Sequence, residues 1–531
     1  MPDLVFTGGA IWTGAEVTGA LAVTDALAVT DGRISAVGAD ALRRPGTLVD
    51  LGGGFLMPSF GDGHAHPLFG GLEAQGPQIK GLTTVPDIVA EVARYAAEHP
   101  ELEWIAGGSY DPSLVPGGDF DARWLDEAVP DRPVALRAYD YHTVWCNTAA
   151  LERAGIGPGT PDPAIGWIVR RADGSPLGTL REWQACDLVL DLVPGKSADE
   201  LVEGLAEAGR TMSSAGITWV QDAWVEPPMV DAYLEAERRG ALAFRANLAF
   251  RADPETWRDQ RAEFAALRER VAGSRLVTAA TVKFFADGVI EGGTAAMLTP
   301  YEDAPHSCGM PVWEPAALAD AVAAFDADGF QVHIHAIGDL GVRASLDAVE
   351  RAVRENPARD RRPVIAHTQL VDPSDLPRFA ELGVIANFEP LWAQLDPLQT
   401  ELTIPRLGPE RAALQYPMGS LLRLGAAVSF GSDWPVSSHE PLLGIRVAAT
   451  RQTLDGSGPW IPEERLTVEQ ALRAQTAGVA YQAFAEHRWG TLAPGMEADL
   501  VWLAADPRTT DPLDVHRIPV LGTWLSGTPT H

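Results

Sequence analysis

The stretch "GFQVHIHAIGD", residues 329–339, has the pattern of a short strand that ends in polar residues and a Gly. Apolar and polar residues alternate from Phe330 to Ala336, as in a β-strand whose side chains point to two sides in turn. A helical pattern follows the Gly. Strand, turn and helix in this order are the unit of a parallel α/β sheet.

The same unit recurs along the middle of the chain. Amphipathic helices such as "ADELVEGLAEAGRTMSSAG" (198–216) and "ALADAVAAFDADG" (317–329) end at a Gly and separate the candidate strands. Eight strands in this alternation predict a (β/α)₈ barrel of the α/β class. The candidate strands are 55–66, 216–223, 242–250, 279–288, 329–339, 362–370, 383–390 and 426–436.

Both ends of the chain have a different pattern, with short alternating strands and Gly-rich turns. Neither end has enough strands to bury a core alone, so residues 1–58 and 487–531 are predicted to form one composite β-sandwich. Residues 59–486 would then form the barrel. The long connection after its first strand, about residues 70–200, is predicted to be an inserted α+β subdomain on the carboxyl-terminal rim.

Composition narrows the function. The chain has 531 residues and a formal net charge of −31, which disfavours nucleic acids and anionic membranes as partners. Three Cys are too few for a disulfide framework or a thiolate metal site. The amino-terminal sequence "MPDLVFTGGA" has no secretory pattern, and no apolar run is long enough to span a bilayer. A soluble cytoplasmic protein with a small-molecule substrate is expected.

Ionisable residues cluster at the ends of five candidate strands. In a barrel of this kind the carboxyl ends of the strands carry the catalytic groups. A His-x-His pair ends the first strand, and because strand side chains repeat every two residues, both imidazoles face the barrel mouth. Imidazole and carboxylate groups suit zinc or a similar divalent metal. The residues are His64, His66, Lys283, His333, His335, His367 and Asp433.

With these motifs the sequence resembles amidohydrolase family 3 of the amidohydrolase superfamily, the group that includes N-substituted formamide deformylase. The resemblance covers essentially the whole chain in the right order. The matching segments are "MPSFGDGHAHP", "DYHTVWCNTAAL", "VKFFADG", "QVHIHAIGD", "IAHTQL", "FGSDWPV" and "GTLAPGMEADLVWL".

The resemblance implies a binuclear metal site, most simply with two Zn, although Fe, Mn or Ni would suit the same ligands. His64 and His66 would bind the more buried metal together with Asp433. His335 and His367 would bind the more exposed metal, and Lys283, carboxylated by CO₂, would bridge the two. His333 shares the strand parity of the ligands, and its role is left open between a supporting contact and core packing.

Lys283 has chemistry that fits this role. The chain has 41 basic residues, and Lys283 is one of only three Lys. Burial between Val282 and Phe284 would favour a neutral amine, which can react with CO₂, whereas an Arg guanidinium stays protonated. The alternative is an ion pair between Lys283 and Asp287 or another carboxylate.

The expected reaction is hydrolysis of a C–N bond in an N-acyl or N-formyl amine. A metal-activated hydroxide would attack the carbonyl carbon, with Asp433 as general base and then general acid. His142 would bind the carbonyl oxygen or the oxyanion, and Trp434 would help to line the substrate pocket.

Other functions on the same barrel stay open. A mononuclear deaminase would have a Glu shortly after the fifth-strand His, where this chain has "HAIGDLG". A cyclic-amide hydrolase would use the same metal ligands. A non-catalytic interaction protein would have lost ligands that this chain retains. A homodimer is expected on general grounds.

Overall fold

The computed structural model describes residues 3–15, 23–456 and 458–531. Its centre is an eight-stranded sheet in which every pair of neighbours is parallel. The strands follow one another in chain order across the sheet, which confirms the predicted (β/α)₈ barrel. They are β1 (Phe60–Ala65), β2 (Ile217–Val225), β3 (Arg245–Arg251), β4 (Val277–Phe285), β5 (Gln331–Ala336), β6 (Val364–His367), β7 (Ile385–Phe388) and β8 (Ala427–Phe430).

The carboxyl ends of β1 and β8 lie side by side, so the sheet is nearly closed. The Asp433 amide, just after β8, donates to the carbonyl of His64 at 2.7 Å. The Ser432 amide donates to the buried carboxylate of Asp62 at 2.9 Å. These bonds place the residues that follow β8 directly beside the His-x-His pair.

Helices between the strands cover the outside of the barrel. The helix Ala198–Ser214 begins with a capping box, in which Ser197 and Glu200 satisfy each other's backbone amides, and the left-handed Gly216 follows it. The predicted helices at 198–216 and 317–329 are therefore confirmed. The others between strands are Met229–Arg238, Trp257–Val271, Pro315–Ala327, Asp339–Glu355, Leu376–Leu382, Ile404–Ala412 and Met418–Arg423, and Pro441–Thr450, Val468–Arg473 and Val479–Gln482 follow β8.

The first predicted barrel strand, 55–66, is two strands that belong to different sheets. Phe55–Pro58 pairs with Leu500–Leu503 outside the barrel, and β1 begins only at Phe60. At the crossing, the Ser59 amide donates to the carbonyl of Asp499 at 3.0 Å. Both segments are fully buried, so the apolar pattern contains no sign of the break.

Strands from both ends of the chain share one sheet, as predicted for the β-sandwich. The six-stranded sheet has the order Thr528–Pro529, Val520–Leu525, Leu500–Leu503, Phe55–Pro58, Ala10–Trp12, Val23–Thr24. A four-stranded sheet, in the order Arg33–Val37, Leu27–Thr30, Leu4–Thr7, Thr47–Asp50, packs against it. Phe6 and Trp524 meet edge-to-face across the two sheets, with ring centroids 5.1 Å apart.

A further sheet lies within the segment predicted as an insertion. Its five strands are, in order, Trp167–Arg170, Pro176–Arg181, Thr143–Cys146, Val134–Ala138 and Ile105–Tyr110. The helices Pro67–Glu73, Val85–Glu98, Ala122–Asp126, Thr148–Arg153 and Trp183–Leu190 lie in the same part of the chain.

The unit boundaries at residues 58 and 487 and the insertion limits near 70 and 200 stay predictions. Residues 1, 2 and 16–22 of the predicted sandwich segment lie outside the described residues. In the described part of the chain, no helix combines the length and the apolar character needed to cross a bilayer.

Candidate metal centre and catalytic cavity

The predicted metal ligands meet at one end of the barrel, where the strands reach their carboxyl ends. His64 lies on β1, Lys283 on β4, His335 on β5 and His367 at the end of β6. All six predicted ligands, including His66 and Asp433 just after β1 and β8, are at most 7 % exposed. The structure therefore brings the whole predicted set to one buried region.

Three of these side chains form the tightest group. Ligand atoms of His64, His367 and Asp433 lie within 4.8 Å of one another. His66 Nε2 lies 2.9 Å from Asp433 Oδ1, yet that oxygen has no aligned hydrogen-bond partner among the described residues. Nitrogen and carboxylate atoms that converge without bonding one another fit a divalent metal such as zinc.

Lys283 lies beside this group with its side chain fully buried. Its Nζ is 3.4 Å from His64 Nε2. Burial lowers the pKa of Lys283 to about 7, although the charges of Asp433 and Glu389 oppose this shift. Near neutral pH a large share of this amine is therefore uncharged and nucleophilic.

The alternative ion pair with Asp287 does not form. The Asp287 carboxylate accepts hydrogen bonds from the backbone amides of Ala296 and Gly338, both at 2.8 Å, and of Ile337 at 3.0 Å. Among the described residues no carboxylate is hydrogen-bonded to Lys283. Its Nζ instead contacts His64 Nε2 and lies 4.7 Å from the ring centroid of Phe285. Asp287 thus organises the loops after β4 and β5.

The rings of His335 and His367 meet edge-to-face, with centroids 4.5 Å apart. His335 Nε2 lies 3.1 Å from the carbonyl of Gly288, so this nitrogen carries the proton and Nδ1 keeps its lone pair. Burial lowers the pKa of His335 well below its usual value and that of His367 to about 3. Both imidazoles are neutral, as metal ligands must be.

His333, whose role the sequence left open, supports His64. Its Nε2 lies 2.9 Å from His64 Nδ1, and its side chain is fully buried. The contact fixes the ring plane of His64 and leaves Nε2 directed toward Asp433 and Lys283. It is the type of outer contact that orients a ligand.

Glu389 has a similar relation to His367, and the sequence interpretation missed it. His367 Nδ1 lies 2.8 Å from Glu389 Oε2, and both residues are at most 2 % exposed. Burial and the nearby charge of Asp433 raise the pKa of Glu389 well above its usual value. The residue directly follows β7 in "ANFEP", so its place at a strand end was a usable signal.

His142 reaches the same region from the inserted segment. Its ring centroid lies 5.4 Å from that of His335, and its Nδ1 is 2.9 Å from Glu182 Oε2. Burial disfavours a charged His142, but the charge and hydrogen bond of Glu182 outweigh it and raise its pKa to about 9. Sequence reasoning missed Glu182, which lies in the unremarkable segment "GTLREW".

A cavity of about 300 Å³ opens above these residues. Its walls combine aromatic rings with acidic side chains that have no salt-bridge partner within the described chain. The aromatic residues include Trp183, Trp224, Phe285 and Trp392, and the acidic ones are Asp111, Asp140, Glu291 and Asp396. Such a pocket suits a small organic molecule without negative charge.

Trp434, which was predicted to line the pocket, takes no part in the described wall of this cavity. Its ring instead occupies the space beside Gly70, where a side chain would clash with it, and packs 6.0 Å from the ring of His439. The indole of Trp434 packs into the hydrophobic core. The structure therefore does not place it where the predicted contact with substrate would need it.

Comparison with known proteins agrees with this geometry. A family model described as "Amidohydrolase family" matches residues 47–531. Protein LONG AFTER FAR-RED 3 of Arabidopsis thaliana is 33% identical over 514 residues, which cover 93% of this chain and 86% of that protein. N-substituted formamide deformylase of Arthrobacter pascens is 25% identical over 513 residues, 93% of each chain.

Among solved structures, an uncharacterized metal-dependent hydrolase from Pyrococcus furiosus has the same fold. It is 24% identical, with a TM-score of 0.73, and the match covers 96% of this chain and 100% of that one.

Proposed function

The chain belongs to the amidohydrolase family, and we propose that it is a metal-dependent hydrolase that cleaves the C–N bond of an N-acyl or N-formyl amine. The observation that carries the proposal is the convergence of His64, His367 and Asp433 within 4.8 Å beside the buried amine of Lys283. A set of neutral imidazoles, one carboxylate and one neutral amine has the chemistry of a hydrolytic metal site.

Two divalent metals, most simply zinc, are assigned to this set. His64, His66 and Asp433 would hold one, and His335 and His367 would hold the other. The neutral amine of Lys283 would take up CO₂ and release a proton, and the resulting carbamate would be a further anionic ligand of this site. When bound, the metals supply Lewis acidity and lower the pKa of a water molecule.

Asp433 is assigned the proton transfers. Its Oδ1 is buried, has no aligned hydrogen-bond partner in the described structure and lines the cavity. The carboxylate would accept a proton from the water that attacks the carbonyl carbon. It would then pass this proton to the amine nitrogen as the C–N bond breaks.

His142 is assigned to the carbonyl oxygen. It lines the cavity beside His335, and the raised pKa of about 9 keeps it protonated at neutral pH. A protonated His142 that already lies beside the carbonyl oxygen when the reaction begins would stabilise the negative charge that develops on this oxygen.

The cavity lining supports a preference among amides. Trp183, Trp224 and Trp392 offer apolar contact. Burial raises the pKa of Asp396 to about 6 and that of Glu291 to about 7, so these acids form a partly negative wall that disfavours a carboxylate on the substrate. Amides of uncharged or cationic amines therefore fit better than N-acyl amino acids. The relative from Arthrobacter pascens, named as an N-substituted formamide deformylase, supports N-formyl amines as the first class to test.

A paired substrate screen tests this function. The enzyme, reconstituted with zinc in the presence of bicarbonate, would be assayed with N-formylbenzylamine, N-acetylbenzylamine and N-formylphenylalanine. We expect release of benzylamine from the first two, little turnover of the third, and loss of activity in Asp433→Asn with metal still bound. Absence of turnover with all the amides would contradict the proposal. A homodimer and a cytoplasmic location stay predictions.

A further inference from the structure

We propose that Glu182 is a positioning residue that holds the imidazole of His142 in the orientation needed to contact the amide carbonyl. The inference rests on the proposed function and concerns a residue from the inserted segment, outside the barrel. Glu182 does not line the cavity in the described structure, so it acts through His142.

Glu182 holds His142 at two points. Its Oε2 lies 2.9 Å from His142 Nδ1, and its backbone amide donates to the carbonyl of His142 at 2.7 Å. Because the carboxylate accepts the Nδ1 proton, Nε2 is left as the ring nitrogen available to a substrate. Glu182 is 2 % exposed and His142 is 5 % exposed, so water does not compete strongly for this bond.

Other carboxylates near His142 do not share this role. Asp140 accepts a hydrogen bond from the backbone amide of His142 at 2.9 Å, not from its ring. Glu291 lines the cavity, and no hydrogen bond joins it to His142 among the described residues. The ring is further confined between Trp183, at 4.6 Å between centroids, and His335, at 5.4 Å. Among the described residues, Glu182 is the carboxylate that bonds the ring itself, so it determines which ring nitrogen faces the cavity.

The backbone conformation of Glu182 is strained for any residue other than Gly. Its φ of 62° and ψ of 169° lie in a region that is almost confined to Gly. The carboxylate also needs space from the barrel, since a Cβ on Gly288 would lie 2.3 Å from Glu182 Oε1. A strained Glu at a position where Gly would be relaxed is typical of a functional requirement.

A fixed donor matters most when charge develops on the carbonyl oxygen. Removal of one oriented donor from such a site typically lowers kcat by about 10²–10³-fold. Glu182→Gln keeps a hydrogen-bond acceptor and the side-chain volume but loses the charge, so we expect a smaller loss, about 10- to 100-fold in kcat, with KM little changed.

A double-mutant cycle with His142→Gln tests the inference. Glu182→Gln, His142→Gln and the double variant would be compared in kcat, KM, metal content and thermal midpoint. Calorimetry would measure the affinity for a phosphonamidate, a tetrahedral analogue of the reacting amide. We expect each single variant to weaken phosphonamidate binding by the same factor as kcat, and the double variant to match His142→Gln alone.

Glu182→Asp gives a second measurement if the Gln variant is poorly folded, because it keeps the charge but shortens the side chain by one methylene. It should show an intermediate kcat. Multiplicative losses in the double variant, or full activity in Glu182→Gln while His142→Gln is impaired, would overturn this inference. Absence of turnover of all N-acyl and N-formyl amines by the wild type would instead contradict the proposed function.

Discussion

Glu389→Gln should weaken metal binding without disturbing the fold. Glu389 lies behind His367 and does not line the cavity in the described structure. Its Oε2 is 2.8 Å from His367 Nδ1, and this bond orients Nε2 toward the group formed with His64 and Asp433. The Gln variant is nearly isosteric, so the packing around the site is kept while an amide replaces the carboxyl group that faces His367 Nδ1.

The size of the effect follows from the bond that is weakened. A buried polar group that loses its hydrogen-bond partner costs about 1–3 kcal/mol, which corresponds to about 5- to 150-fold in a binding constant. Loss of an outer contact to a metal ligand typically lowers metal affinity about 10- to 100-fold. Both routes predict a zinc dissociation constant one to two orders of magnitude higher in Glu389→Gln.

The chain contains a matched control for this experiment. Glu182 forms a bond of almost the same length, 2.9 Å, with a buried His that is not assigned as a metal ligand. Zinc affinity would be measured by competition with a chromophoric chelator for the wild type, Glu389→Gln and Glu182→Gln. Only Glu389→Gln should bind more weakly. An affinity within about twofold of the wild type, or an equal loss in Glu182→Gln, would refute the reasoning.

Three further predictions follow from other contacts. With ¹³C-labelled bicarbonate, the wild type should give an NMR carbamate signal that Lys283→Ala lacks, and this variant should bind fewer metal ions. A Lys283→Ala variant with full metal content and activity would contradict the role of Lys283 as a bridging ligand. Arg245→Met should destabilise the protein by about 3–5 kcal/mol in chemical unfolding, since it removes the ion-pair partner of the fully buried Asp499 carboxylate. His142 has a pKa of about 9 in the folded protein, against an ordinary value of 6.5. Its protonation therefore adds to the free energy of unfolding; this contribution is complete below pH 6.5 and is lost as the pH rises through 9. The stability difference between wild type and Glu182→Gln, about 3 kcal/mol at most, should therefore narrow between pH 7 and 10, as measured by chemical unfolding at each pH.

The barrel could be predicted from the sequence because its signals are local and repeated. Each strand is a short apolar run, and helices such as Ala198–Ser214 carry their own start and stop signals. The crossing at Ser59 could not be predicted in this way. The segments on both of its sides are buried, and the pattern of side chains does not report which sheet supplies the hydrogen bonds.

The candidate metal ligands could be predicted for a related reason. His64, Lys283 and His367 lie on strands, so their positions follow from strand order and side-chain alternation. Glu182 belongs to a different class, because it comes from the inserted segment and meets His142 across 40 positions of the chain. Trp434 was predicted only from its place next to Asp433, but the backbone turns after β8, where Asp433 has a φ of 54°, and the indole packs beside Gly70 instead.

Three of the functional residues have a backbone conformation that the sequence does not show. His367, Asp433 and Glu182 have φ values of 70°, 54° and 62°, in the left-handed half of conformational space. Each such residue costs of order 1–3 kcal/mol relative to a relaxed one, and Gly at these positions would remove that cost. Gly would also remove the side chain that each position needs. These are the imidazole of His367 for the metal, the carboxylate of Asp433 for proton transfer and the carboxylate of Glu182 for the orientation of His142. The surrounding barrel and insert impose these conformations through contacts such as the bond from the Asp433 amide to the His64 carbonyl. At these three positions the packing of the fold thus maintains a strained backbone around a side chain whose chemistry the site requires.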